Sequence, residues 1–155
     1  MALFLAQHGA SLSKDEDPEK GLSAVGRADT QRIAEVGAAY KIPVAGIVHS
    51  GKARARQTAQ IFEALLNPGA PTRAIKGIAP LDDVAAFAET VAPGDNLLVV
   101  GHLPFMGKLV SLLTCGRSEA LVYQFQNSGI ICLDTQGNGA PGSWYIKWSL
   151  NPRVD

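Results

Sequence analysis

The sequence predicts an α/β fold, a three-layer sandwich in which helices cover both faces of a mostly parallel central sheet that turns antiparallel at one edge. Three observations predict it. Apolar runs of strand length recur at Ala2–Ala6, Ala45–Val48 and Asn96–Val100, each closing on a small polar or glycine-containing step. Between them, apolar residues repeat at helical spacing. The C-terminal part changes period, with two short apolar segments set apart by a turn-length break. Strands alternating with helices require a sheet buried on both faces, because the crossover helices must lie against it.

The elements follow in order. Ala2–Ala6, within ALFLAQHG, is a buried first strand, and the acidic KDEDPEK at residues 14–20 is a solvated loop. From Ser23 to Tyr40, the residues Ile33, Val36, Gly37 and Tyr40 share one helical face. After the strand Ala45–Val48, a second helix carries Ala59, Phe62, Leu65 and Leu66 until NPG stops it. A third helix runs from Asp83, an aspartate cap, to about Val91. The strand Asn96–Val100 leads to a fourth helix that opens at Pro104, whose ring presets a first-turn backbone angle, and that carries Met106, Leu109, Val110 and Leu113. ALVYQF and GIICLD, separated by QNS, read as a hairpin, and the turn-rich TQGNGAPGS leads to a last strand WYIKWSL. Trp144 and Trp148, four apart on that strand, share a face and read as packing.

The 155 residues amount to one domain, 1–155, and 46% hydrophobic against 18% charged residues describes a folded chain. Fourteen Lys plus Arg balance fourteen Asp plus Glu, so no global field draws the protein to nucleic acid or an anionic membrane. Any anion must be met by local charge. Cys115 and Cys132 lie in apolar surroundings without metal or redox spacing and read as core filler. No run reaches the roughly 18 apolar residues of a membrane helix. MALFLAQHG has no basic leader and too short an apolar segment for secretion, so a cytoplasmic protein is expected.

Open α/β sheets bind ligands at the carboxyl ends of their strands, where helix N-termini face the crevice. Three stretches occupy such ends: QHG, HSGKARARQTA and GHLPF. They supply His8, then Arg54 on the first turn of a helix, then His102 before another helix. A neutral imidazole is a competent nucleophile toward phosphorus, and a guanidinium fork holds two equatorial oxygens. A second, protonated histidine would steady the transferring charge. Each residue alone has an ordinary structural reading; their convergence at three strand ends points to phosphoryl chemistry.

These segments resemble the histidine phosphatase superfamily, and within it the small phosphohistidine phosphatases of SixA type. FLAQHGAS is similar to the strand and Arg-His-Gly of that superfamily, GLSAVGR to its Leu-Ser/Thr-x-x-Gly helix start, HSGKARARQTA to its Ser-x-x-x-Arg-Ala-x-Gln-Thr-Ala, and LLVVGHLPFM to its Val-Gly-His-x-Pro. The resemblance implies a phosphoglycerate mutase-like fold and neither metal nor organic cofactor. By position it makes His8 the residue phosphorylated in the intermediate, Arg54 a phosphate clamp and His102 the second pocket histidine. Gln7, Gly9, Ser50 and Asp83 complete the expected substrate-binding set. The implied partner is a phosphate-bearing substrate, a phosphohistidine protein of signalling or phosphotransfer.

One position departs: where the superfamily motif has arginine, this chain has Gln7, an amide without charge. His49 and Lys52 either lean toward the phosphate or serve as a strand cap and a solvated lysine, while Arg56 points to another side of its helix and stays solvated. IAPLDDVAAF offers Asp82 and Asp83 where relatives that cleave esters keep a general acid; Asp83 is either that acid or a helix cap. A protonated phosphoimidazole leaves without a dedicated acid. Three functional readings follow: a phosphohistidine phosphatase, a catalytically impaired module that binds phosphate or phosphoprotein, and a phosphatase of small esters using Asp83.

Overall fold

The computed structural model describes residues 2–155. Its elements are β1 (Leu3–Gln7), α1 (Ala24–Ala39), β2 (Gly46–His49), α2 (Ala53–Leu66), β3 (Arg73–Ala74), α3 (Val84–Ala88), β4 (Leu97–Gly101), α4 (Phe105–Cys115), β5 (Ile130–Thr135) and β6 (Trp144–Leu150). The six strands lie in the order β3-β2-β4-β1-β5-β6. β1 to β4 are parallel, and β5 and β6 join antiparallel at one edge.

Alternation along each strand divides the core into two layers. Leu3 and Leu5 of β1 face α3 and α4, where Phe87, Phe105, Leu109 and Leu113 are buried. Phe4 and Ala6 face the opposite way, toward Ile33 and Ala34 of α1 and Ala59 and Phe62 of α2. The sheet is therefore sandwiched between helices, as the sequence predicts.

Local chemistry fixes where these elements start. Ser23 caps α1 by accepting the Gly26 amide at 3.0 Å, and its own hydroxyl donates to the Ala10 carbonyl at 3.1 Å. The helix thus begins against the loop that follows β1. A side chain at Gly26 would place its Cβ 2.0 Å from the Ala10 oxygen, so only glycine allows this approach. α2 and α4 end in left-handed residues, Asn67 at φ 51° and Gly116 at φ 78°.

Several expectations are corrected. ALVYQF forms no strand, and residues 120–126 have no regular structure. β5 has β1 on one side and β6 on the other, so both of its pairing edges are taken and the hairpin partner has no place. Trp144 and Trp148 lie on opposite faces. A bulge at Cys132/Leu133 adds one residue to β6, which pairs Cys132 with Trp148 but Leu133 with Ile146 and so inverts the alternation. Trp144 accordingly packs with the α3/α4 layer, whereas Trp148 sits 5.9 Å from the Phe4 ring in the other.

Cys115 is exposed, because it closes α4 beyond the last core leucine, Leu113. Cys132 is buried, and desolvation pushes its thiol up to about 11. α3 stops at Ala88, short of Val91, as the Thr90 hydroxyl donates to the Phe87 carbonyl at 2.7 Å. The two-residue β3 carries no apolar signal and escapes sequence reading. Among the described residues no helix is long and apolar enough to cross a membrane.

Candidate active site

β1 and β4 are neighbours, yet α1 leaves β1 toward one face of the sheet and α4 leaves β4 toward the other. Their carboxyl ends therefore open a crevice. The His8 amide donates to the Gly101 carbonyl at 3.0 Å, and the His8 and His102 rings lie 5.0 Å apart at 49°. His8 Nδ1 is 2.7 Å from the Gly9 carbonyl oxygen. A carbonyl only accepts, so Nδ1 holds the proton and Nε2 keeps its lone pair. That is the tautomer a nitrogen nucleophile needs.

Three further bonds hold this histidine. Asn127 Nδ2 donates to the His8 carbonyl at 2.8 Å, and the Ser128 amide donates to Gln7 at 3.0 Å. The Gly9 amide donates to Thr58 Oγ1 at 2.9 Å, and that hydroxyl donates to the Arg54 carbonyl at 2.7 Å. Thr58, one turn after Arg54, so ties the nucleophile loop to the arginine's helix. Gly9 is corrected in role: its amide is committed to Thr58. Its missing side chain matters because a Cβ there would lie 2.8 Å from Thr30 Oγ1 and 3.0 Å from Ser128 Oγ.

His102 is buried with Nε2 2.6 Å from Ser50 Oγ, while Nδ1, also buried, has no hydrogen-bond partner among the described residues. Ser50 is thus placed against His102. Where the Ser50 hydroxyl donates to Nε2, Nδ1 carries the ring proton and lacks an acceptor, which an oxyanion would supply. Desolvation, then the fields of His8, Arg54 and Lys52, lower His102 to about 3. The anion-free pocket therefore holds this ring neutral, where a protonated histidine was expected.

His8 is also lowered from its ordinary value, first by burial and then by Arg54 and Lys20, against a raising effect of the Gly9 carbonyl. Every charged group that acts on the two rings is a base: Lys20, Lys52 and Arg54. None of the three has an ion-pair partner among the described residues. The crevice is an uncompensated positive site, built locally in a chain of zero net charge. Among the described residues no three His, Cys, Asp or Glu side chains gather to hold a metal.

Lys20 was not foreseen, since it closes the acidic loop read as solvated. Its backbone is left-handed at φ 53°, held by an amide bond to the Asp17 carbonyl at 2.9 Å, while Asp17 Oδ2 accepts the Gly21 amide at 2.9 Å. Glu16 and Asp17 accept backbone amides within the loop, and the charge of Lys20 is near enough to lower His8. The only sequence signal was its place directly before GLSAVGR.

Other candidates lie elsewhere. Asp83 Oδ1 accepts the Ala85 amide at 2.9 Å as the cap of α3, and Asp82 Oδ2 accepts the Ala79 amide at 2.8 Å. Both line a cleft of about 1010 Å³ with Arg73 and Lys76, apart from the histidine crevice, which corrects the substrate-binding expectation for Asp83. His49 accepts the Gly51 amide at 3.0 Å and closes its strand; Arg56 is half-buried and close enough to lower it, so it is not simply solvated. Gln7 lines a cleft of about 660 Å³ with Asp29, Gln126, Asn127 and Arg153, and its amide has no hydrogen bond among the described residues.

No model of a known protein family matches the chain. Over 160 residues it is 26% identical to the phosphohistidine phosphatase SixA of Escherichia coli strain K12, spanning 98% of this chain and 94% of that protein. The chain is thus similar along nearly its whole length to a member of the histidine phosphatase superfamily. A structure of the protein histidine phosphatase SixA complexed with tungstate matches with a TM-score of 0.80 at 24% identity, over 98% of this chain and 97% of that one. Mycobacterial glucosyl-3-phosphoglycerate phosphatase with VO3 shares the fold at a TM-score of 0.68 and 14% identity, over 95% and 97%.

The buried, unprotonated His102 makes acid stability a sensitive readout of this pocket. As pH falls below the ordinary histidine value of 6.5, the unfolded chain takes up protons that His102 refuses until about 3. The unfolded state then binds more protons, so stability falls with pH across that window, at up to about 1.4 kcal/mol per pH unit for one ring. Urea unfolding from pH 6.5 to 4 should show this slope, and His102→Asn should flatten it. Equal slopes in both proteins would contradict the assignment.

Proposed function

We propose that this protein is a phosphohistidine phosphatase that works through a phosphorylated His8 on a phosphate-bearing protein. The observation that carries the reading is a free lone pair on His8 Nε2 in a ring 5.0 Å from a neutral, half-unsatisfied His102, with Lys20, Lys52 and Arg54 the charged side chains that act on the two. In the first step Nε2 bonds to phosphorus as the phosphorus–nitrogen bond of the substrate breaks. The departing imidazole keeps that electron pair and leaves neutral, having entered protonated on its other nitrogen. In the second step water attacks phosphorus, the pair returns to Nε2, and both of the water's protons stay with the phosphate, which leaves as dihydrogen phosphate. Arg54 and Lys20 hold the equatorial oxygens, Lys20 supplying charge that Gln7 lacks.

Among the described residues no carboxylate is among the charges acting on His8 or His102, and Asp83 caps α3, which favours a leaving group needing no acid over an alkyl ester. SixA of Escherichia coli, named for phosphohistidine, is similar along nearly the whole chain. Two free cysteines, one exposed, suit a reducing cytoplasm. A second reading rests on Gln7 alone: an uncharged amide leaves a pocket that binds phosphate or phosphoprotein without turnover.

Phosphate release from a histidine-phosphorylated protein, by wild type and Gln7→Arg side by side, separates the two. The cleft beside Gln7 has room for the longer side chain. A charged donor aimed at the developing oxyanion is expected to raise turnover by about 10- to 100-fold. Release by neither protein, together with calorimetric binding of phosphate, would favour the binding module.

A further inference from the structure

Beside the crevice, Leu103, Pro104, Ala120, Leu121, Tyr123 and Phe125 line an apolar groove of about 450 Å³. Leu103, Gln124 and Phe125 line both this groove and the cleft that holds Gln7, so the two hollows adjoin across these residues. Leu103 is also the residue directly after His102. The rim faces solvent: Leu121 is 85% exposed and Leu103 42%. One exposed leucine means little, but adjoining apolar side chains at the mouth of a reactive pocket mark a contact surface.

A second feature lies on the same segment. No backbone amide or carbonyl of residues 121–125 makes a hydrogen bond among the described residues. The segment is nonetheless anchored from behind. The Ala120 amide donates to Ser111 Oγ at 3.0 Å, the Tyr123 and Phe125 rings meet edge to face at 5.0 Å, and Asn151 Nδ2 donates to the Tyr123 hydroxyl at 3.1 Å. A held segment that offers apolar side chains together with open donors and acceptors matches what a polypeptide brings, and a small phosphate ester brings neither.

Resting on the phosphohistidine reading of the crevice, we infer that Leu103, Leu121 and the open backbone of residues 121–125 form the docking lip for the polypeptide that carries the phosphohistidine, seating aliphatic residues that flank it. The substrate's phosphate enters between His8 and His102 while its neighbouring leucines or valines lie in the groove. Specificity toward protein substrates then resides in this lip, and the chemistry does not depend on it.

The test uses three probes: a synthetic peptide with one phosphohistidine flanked by leucines, the same peptide flanked by serines, and free phosphohistidine. Wild type is expected to show kcat/KM about tenfold higher for the leucine-flanked peptide, the preference that burying a leucyl side chain sustains. Leu121→Asp should bring that ratio to about one and leave free phosphohistidine unchanged; at 85% exposure the site tolerates the change without loss of fold. No preference in wild type, a preference that survives in Leu121→Asp, or an equal fall on free phosphohistidine would each overturn the docking lip while leaving the phosphatase reading standing. Hydrolysis of none of the three would overturn both.

Discussion

His8→Ala is expected to reduce phosphate release by about 10⁴-fold or more, the scale at which losing a covalent nucleophile is felt. The expectation follows from the ring's hydrogen bonding. Nδ1 is committed to the Gly9 carbonyl at 2.7 Å, so Nε2 is the one nitrogen of this ring free to form the bond to phosphorus. His102 is not poised to take over, because its Nε2 is engaged with Ser50 at 2.6 Å and, where that hydroxyl donates, its Nδ1 carries the ring proton. Burial of His8 lowers its pKa, so the ring stays neutral below the pH at which an exposed histidine would protonate. The acid limb of the wild-type rate profile should therefore lie below pH 6.5. Brief incubation with labelled phosphohistidine protein should leave acid-labile phosphate on wild type and none on His8→Ala. Comparable label on both would remove His8 from its role.

The layout of the crevice was legible because strand ends in such a fold are few. Each of His8, Ser50 and His102 directly follows a strand that hydrophobic runs reveal, and parallel pairing of β1, β2 and β4 aligns those ends. Other features stayed hidden for physical reasons. The β6 bulge inverts Trp144 against Trp148, yet a one-residue slip leaves no mark in composition. ALVYQF has the alternation of a strand, but β5 has no free edge to offer it. Lys20 lies in an acidic run whose charge suggests solvent; its direction depends on a left-handed backbone and on Asp17 closing the loop. Asp83 shows the reverse case, where a cap and a general acid have the same one-letter signature and only placement distinguishes them.

Gln7 takes on a different meaning once Lys20 is placed. In a chain with an arginine at both positions 7 and 54, two forks would grip the phosphate. Here one fork, Arg54, is left with two flexible ammonium groups, Lys20 and Lys52, acting on the two rings. An ammonium supplies charge but no fixed pair of donors, so in the proposed mechanism orientation of the phosphate is assigned to Arg54.

Arg54→Lys therefore tests geometry at constant charge, and kcat is expected to fall by about 10²- to 10³-fold with a smaller change in KM. Charge is conserved, so binding of the phosphate dianion should survive, while the planar pair of donors proposed to hold two equatorial oxygens is lost. The backbone setting is robust, because Thr58 bonds the carbonyl of residue 54 at 2.7 Å and the Gly9 amide at 2.9 Å whatever the side chain. Arg54 is only partly buried and has no ion-pair partner among the described residues, so replacing it leaves no buried charge stranded and the fold should persist. Steady-state kinetics on one phosphohistidine substrate, with calorimetric titration of inorganic phosphate into both proteins, separates the two contributions. A lysine variant with wild-type kcat would mean that field strength alone drives the reaction, and the fork at position 54 would lose its assigned part.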